Sequence, residues 1–178
     1  MDENQVRKLD RRKLVAIIGG SVQNCTKTDY DIAYRLGKLL IVNGYRLVTG
    51  GYGGVMEAAS KGARNADEYR EGDIVGIISS ISPEDANEYC DIVIATGIGY
   101  ARNQIITASA DVVVAIGGGS GTLSEIAFAW QLNKKIIAFT SEGWSGHLAD
   151  KTLDSKRKDK VIPVDTPEQV IEVLKSLL

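Results

Sequence analysis

The residues best suited to chemistry lie in one run, Asp111-Val-Val-Val-Ala-Ile-Gly-Gly-Gly-Ser-Gly-Thr-Leu-Ser-Glu125. Val112 to Ile116 form an apolar stretch typical of a parallel strand covered on both faces. Gly117, Gly118, Gly119 and Gly121 let the backbone turn sharply and approach a ligand closely. From Thr122 onward, Leu123, Ile126, Ala127 and Trp130 fall at helical spacing, so the loop faces the free N–H groups and positive dipole end of a helix. Gly117, Gly118, Gly119, Ser120, Gly121 and Thr122 therefore form a candidate phosphate cradle.

Two charged side chains flank that cradle. Glu125 lies about one turn into the helix, and helical side chains lean toward the N-terminus, so its carboxylate can reach the loop and stabilise positive charge there. The same residue also fits a capping box, Thr122-Leu-Ser-Glu125, in which it serves only its own helix. Arg102 falls in the first turn of a helix expected after Gly97-Ile-Gly99, where a cation opposes the dipole. A ligand phosphate, the Glu125 carboxylate or a partner subunit would each compensate it.

Two more glycine turns follow strand-like runs: Gly19, Gly20 and Ser21, then Gly50, Gly51, Gly53 and Gly54. Ten of the nineteen glycines fall in the three turns, so glycine is concentrated where strands end. In a parallel sheet those ends share one edge, and open α/β sheets bind ligands there, where the strand order reverses. The first turn lacks Gly-x-Gly-x-x-Gly, and the second strand ends in Thr49-Gly50 where an acidic ribose ligand would stand, which disfavours NAD. No Gly-Lys-Ser/Thr follows the third turn, which removes an ATPase loop. Phosphorylated ligands short of a triphosphate remain, such as nucleoside monophosphates.

The elements that must position these groups alternate along the chain. Runs at 14–18, 46–49, 74–78, 92–95, 112–116, 135–139 and 161–164 read as strands. Helical patterns lie near 29–43, 54–66, 100–110, 122–133 and 167–177, a spacing that implies parallel crossovers and an α/β fold. The first helix has Thr28 or Asp29 as its expected N-cap and Gly44 past its end. The last has a capping box from Thr166 to Gln169, with Pro167 at its first position. Segment 141–160 reads as a surface excursion or a lid.

The chain of 178 residues is 44% hydrophobic and 25% charged, enough for one domain, 1–178, with a substantial core. Residues 1–12, with Arg7, Lys8, Arg11 and Arg12, read as a solvated arm. A net charge of -2 gives no footprint for nucleic acid or an anionic membrane. The sequence holds no apolar run of membrane-spanning length and no signal-peptide pattern, so a cytoplasmic protein is expected. Cys25 and Cys90 are unpaired in sequence and suit a reducing compartment, no metal-ligand spacing occurs, and the lone His147 reads as a surface residue.

Together, Gly50-Gly51-Tyr52-Gly53-Gly54-Val55-Met56, Ala101-Arg102-Asn103 and Gly117-Gly-Gly-Ser-Gly-Thr-Leu-Ser-Glu125 resemble the LOG-like Rossmannoid superfamily. This group includes the LOG cytokinin-activating phosphoribohydrolases and the molybdenum-cofactor carrier proteins. The resemblance covers about residues 13 to 175. In LOG enzymes the motif is Pro-Gly-Gly-x-Gly-Thr-x-x-Glu, preceded by a helix carrying Arg that is usually followed by Lys. Here Gly117 replaces the Pro and Asn103 the Lys, and both look more like the carrier branch.

The resemblance implies a Rossmann-like three-layer sandwich, with a mostly parallel sheet of about seven strands and helices on both faces. It implies a homodimer or homotetramer that binds a phosphorylated small molecule, a nucleotide or a molybdopterin-type cofactor, with no nucleic-acid polymer or membrane as partner. The alternative it carries is hydrolysis of a nucleoside 5'-monophosphate to free base and ribose 5-phosphate, with no cofactor required. Glu125 would then act on the sugar or on water, Arg102 would orient the ribose or phosphate with Asn103 beside it, and the Gly19–Ser21 and Gly51–Gly54 turns would wall the base and sugar. A nucleotide-responsive sensor is a third, weaker possibility.

Overall fold

The computed structural model describes residues 11–178. Seven strands, β1 (Leu14–Gly19), β2 (Arg46–Thr49), β3 (Ile74–Ile78), β4 (Ile92–Ala95), β5 (Val112–Ile116), β6 (Lys135–Phe139) and β7 (Ile162–Val164), form one sheet in the order β4-β3-β2-β1-β5-β6-β7. Every pairing is parallel, which sharpens the expectation of a mostly parallel sheet. All five residues of β5 are buried, as a strand covered on both faces requires.

Helices α1 (Lys27–Val42), α2 (Val55–Arg64) and α6 (Pro167–Leu177) cover one face with a core that includes Leu36, Leu40, Ala59 and Leu174. On the other face, α3 (Arg102–Ser109) and α4 (Ser120–Gln131) pack Ile106, Ile126 and Trp130 onto Ile18, Val113 and Ile136, with the short α5 (Trp144–Leu148) beside them. Each fully buried aliphatic side chain in these layers stabilises the fold by about 1.5–3 kcal/mol. Among the described residues, no helix is long and apolar enough to cross a membrane.

The termini of α1 show how local chemistry sets its bounds. Its N-cap is Thr26, not Thr28 or Asp29 as expected. Thr26 accepts from the Asp29 N–H while Asp29 accepts from the Thr26 N–H, a capping box that fixes Asp29 as the third helical residue. At the other end Gly44, with φ +81°, follows the C-cap Asn43 in the left-handed conformation. The Thr166–Gln169 box on α6 forms as expected.

At the N-terminal edge of the sheet, an aspartate precedes each of β3, β4 and β5. Asp111 accepts from the Leu14 N–H at 2.8 Å and pairs with Arg11, and Asp73 pairs with Arg12. Of the arm expected to be solvated, Arg11 and Arg12 pair with the sheet, Arg11 staying 60% exposed, and Arg7 and Lys8 lie outside the described residues.

Segment 141–160 runs over the surface, as expected, with Ser145 its one buried residue, and is tied down at two places. The Ser145 and Trp144 N–H groups donate to the Gly117 and Gly118 carbonyls, both at 3.1 Å. Farther along, the Arg157 guanidinium stacks 4.1 Å from the Trp130 ring centroid and donates to the Trp130 and Lys134 carbonyls.

Strand β1 lies between β2 and β5, so the chain leaves it toward one edge of the sheet and returns through α3 to build the other. The order therefore reverses at the β1/β5 boundary, and the crevice above the carboxyl ends of those strands is where such sheets take ligands.

Candidate functional site

A cavity of about 860 Å³ occupies that crevice. Its walls come from the turn after β1, the turn after β2, the turn after β5 and, from the side, the Gly99–Ala101 turn that leads into α3. Helix α4 starts at Ser120, with Gly119 as an N-cap that supplies no side-chain bond. The backbone N–H groups of Ser120, Gly121 and Thr122 make no hydrogen bond among the described residues, and all three residues line the cavity. Three free donors at the positive end of a helix are an anion-accepting surface.

Arg102 and Glu125 face each other beside it. Each side chain is 9% exposed, and Arg102 Nη1 lies 3.8 Å from Glu125 Oε1, beyond hydrogen-bond range. The Glu125 carboxylate makes no hydrogen bond among the described residues, and Arg102 Nε is buried without a partner. The guanidinium sits 5.6 Å from the ring centroid of Tyr52. That ring is immobilised through its hydroxyl, which accepts from the Ser79 and Ser80 N–H groups at 3.0 and 3.1 Å and shares a proton with Ser79 Oγ at 2.8 Å.

Burial shapes the protonation of this pair. Desolvation lowers Arg102 below the usual arginine range, with Glu125 acting against it. Desolvation pushes the Glu125 carboxyl up to about 8, Arg102 opposing, so burial favours its protonated form, which can donate a hydrogen bond. The Thr122–Glu125 capping box does not form. The helix begins at Ser120, which puts Glu125 too far along to reach the cap.

Sequence-derived candidates divide into two groups by position. Gly19, Ser21 and Gly53 line the cavity, as do Gly119, Ser120, Gly121 and Thr122, together with Arg102, Asn103 and Glu125. Asn103 Nδ2 donates to Ser124 Oγ at 2.8 Å, which donates to the Gly121 carbonyl at 2.7 Å, so α3 is latched to the first turn of α4.

Gly20, Gly50, Gly51, Gly54, Gly117 and Gly118 stand behind the wall. A Cβ at Gly50 would collide with the Arg102 guanidinium, so this glycine seats the arginine. The Gly117 N–H donates to Ser145 Oγ at 2.8 Å and braces α5. At Gly118, φ is +87° and a Cβ would strike Thr122 Oγ1.

Sequence reasoning did not single out Gln23, Asn24, Tyr52 or Ser79, which also line the cavity. Tyr52 was legible only as part of its glycine run. Ser79 follows a strand with no motif around it. The 141–160 segment does not border the cavity, although Ser141, Glu142 and Gly143 line a neighbouring crevice of about 510 Å³. Among the described residues, no group of three or more His, Cys, Asp or Glu is placed to hold a metal ion.

Known proteins with this arrangement point to one family. The sequence model of the SLOG cluster4 family matches residues 12–171. An uncharacterized protein of Archaeoglobus fulgidus is 42% identical over 124 residues, 70% of this chain and 78% of that protein. Among solved structures, the molybdenum cofactor binding protein of the phototrophic bacterium Rippkaea orientalis superposes with a TM-score of 0.82 at 38% identity, covering 94% of this chain and 98% of the other. The molybdenum cofactor carrier protein of Chlamydomonas reinhardtii superposes with a TM-score of 0.80 at 28% identity, covering 93% and 98%. With the motifs, the all-parallel sheet and these matches in agreement, the chain belongs to the SLOG cluster4 family, within the LOG-like Rossmannoid superfamily.

Proposed function

We propose that this protein binds and carries a phosphorylated small molecule, a molybdenum cofactor of the pterin type, with its phosphate on the N-terminus of α4. The observation that carries this reading is the cavity itself: unpartnered N–H groups at Ser120, Gly121 and Thr122 and the Arg102 guanidinium border one space of about 860 Å³. Small-molecule pockets run to roughly 300–1,000 Å³, so a fused pterin ring system with its phosphate is of suitable size. Arg102, held between Tyr52 and Glu125, can give a phosphate oxygen a charge-assisted hydrogen bond from a desolvated position. Gln23, Asn24 and Ser79 offer neutral donors and acceptors of the kind that orient a heterocycle. That two structural relatives are proteins of the molybdenum cofactor supports the same ligand class.

Hydrolysis of a nucleoside 5'-monophosphate is the second reading, favoured by the presence of Arg102 and Glu125 in the phosphate-binding cavity. It asks Glu125 to take a proton from water or to stabilise an oxocarbenium-like sugar, which requires the ionised form. Burial pushes the Glu125 carboxyl up to about 8, which works against the ionised form that those two roles need.

The test incubates purified protein with molybdenum cofactor released from a denatured molybdoenzyme. After gel filtration, the protein peak is scored for molybdenum and for the fluorescence of the oxidised pterin. Stoichiometric retention, reduced about 10- to 100-fold in affinity by Arg102→Ala through loss of one charge-assisted contact, is expected. No retention, together with release of free base from a panel of nucleoside 5'-monophosphates, would replace the carrier by a phosphoribohydrolase.

A further inference from the structure

We propose that the cavity binds its anion together with one proton, held on Glu125, so that ligand affinity is coupled to pH. The inference rests on the phosphate site described above and concerns its regulation. Among the described residues, Arg102 is the only cationic side chain lining the cavity and Glu125 the only anionic one. The N-terminus of α4 adds about half a positive charge. An ionised Glu125 would leave the lining with a net charge of only about +0.5, whereas a neutral one leaves about +1.5 to meet a dianionic phosphate.

Position makes the two states exclusive. Glu125 leans back toward the turn that carries the free N–H groups, and its only charged neighbour, Arg102 at 3.8 Å, is the group an anion there needs. No donor is committed to the carboxylate among the described residues, and Arg102 is the charge that acts on it. A protonated Glu125 instead has an O–H to donate to the ligand.

Among the described residues no other carboxylate lines the cavity, and Glu57 of α2 lies beside Gly53 outside the lining. Tyr52 and Tyr100 are the remaining titratable side chains on the cavity wall, and the Tyr52 hydroxyl is fixed on Ser79 and Ser80. Beneath α4, strands β1, β5 and β6 present Ile18, Val113, Ala115 and Ile136. His147 on α5 does not line the cavity, and Arg157 lies against Trp130 near the far end of α4. Burial pushes the Glu125 carboxyl up to about 8, in the direction of the protonated form.

The experiment is titration calorimetry with sulfate, whose charge of −2 is constant from about pH 6 to 9, in paired buffers of different ionisation enthalpy. Wild-type affinity is expected to be level up to about pH 7 and to fall toward tenfold per pH unit above about 8, with a proton taken up on binding in that range. Glu125→Gln should bind sulfate with the wild type's low-pH affinity and show neither the fall nor the uptake. In wild type, adding sulfate above about pH 8 should also raise an infrared band of a protonated carboxyl, a readout independent of any variant's folding. Sulfate binding that is level with pH in wild type, or that falls equally in Glu125→Gln, overturns the proton coupling and leaves the phosphate site standing. Failure of wild type to bind sulfate at any pH overturns both.

Discussion

At the N-terminal edge of the sheet, Asp91 has a side chain only 2% exposed and accepts from Arg64 at 2.7 Å, from the Ile74 N–H at 3.0 Å, from the Gly72 N–H and from the Tyr69 hydroxyl. At the C-terminal edge, Glu125 is 9% exposed and accepts from nothing among the described residues, with its one cation 3.8 Å away. The two carboxyls are similarly buried and held by the same fold, yet they serve opposite ends. A buried charge whose lone pairs are satisfied fastens strands and loops together. One left without donors costs free energy, and it persists where a ligand or a proton completes it.

The largest effect should come from breaking the satisfied edge. Asp91→Ala leaves two strand-entry N–H groups and a tyrosine hydroxyl without their acceptor, and should lower unfolding free energy by about 3 kcal/mol in urea titration. A loss below about 0.5 kcal/mol would erase the contrast between the edges.

The edges should also titrate in opposite directions. Burial would raise Asp111, but the Leu14 N–H and Arg11 outweigh it and hold the carboxyl below the usual aspartate range. Its contribution is therefore present above the unfolded pKa and is lost as pH falls through the folded value. Glu125 is raised, so the folded state binds the proton more tightly than the unfolded chain. Its contribution is full below the unfolded value and is lost as pH rises toward about 8. Between about pH 5 and 8, wild type should lose stability relative to Glu125→Gln with a slope of up to about 1.4 kcal/mol per pH unit. Parallel stability curves would show that Glu125 is not held protonated.

At the ligand site, Gly50 does not itself line the cavity, and Gly50→Ala pushes the Arg102 guanidinium from its seat and crowds the Met56 sulfur beside it. It should leave the melting curve within a few degrees of wild type while weakening phosphate binding by about tenfold. Unchanged binding would mean that Arg102 does not meet the anion. The smallest effect is expected at Arg35 and Glu168, paired at 2.7 Å but 60% and 53% exposed. Arg35→Ala should cost no more than about 0.5 kcal/mol, a baseline for charge that neither edge encloses.

Much of this architecture was written into residue spacing. Apolar runs such as Val112–Ile116 and the glycines after them fixed where strands stop and helices start, because side-chain periodicity and backbone freedom are local properties. The helix that carries Glu125 shows the limit of such reasoning. Thr122-Leu-Ser-Glu125 satisfies the spacing of a capping box, but Gly119 supplies the left-over turn and the helix starts earlier, at Ser120. The same local logic misplaced the cap of α1, where Asp29 is the fourth and last residue of the box and not its first.

By itself, then, the sequence determined the alternation of strands and helices, the parallel connections and the three glycine turns, together with Arg102 and Glu125 as the charged residues beside them. Tertiary structure alone decided which turns reach the cavity, that Gly50 seats an arginine from a distant helix, and that Tyr52, pinned by Ser79 and Ser80, supports it. It also set the burial that pushes the Glu125 carboxyl up. Burial and the distance to a cation arise from elements far apart in the chain, and these set the free energy of a charge where local spacing cannot.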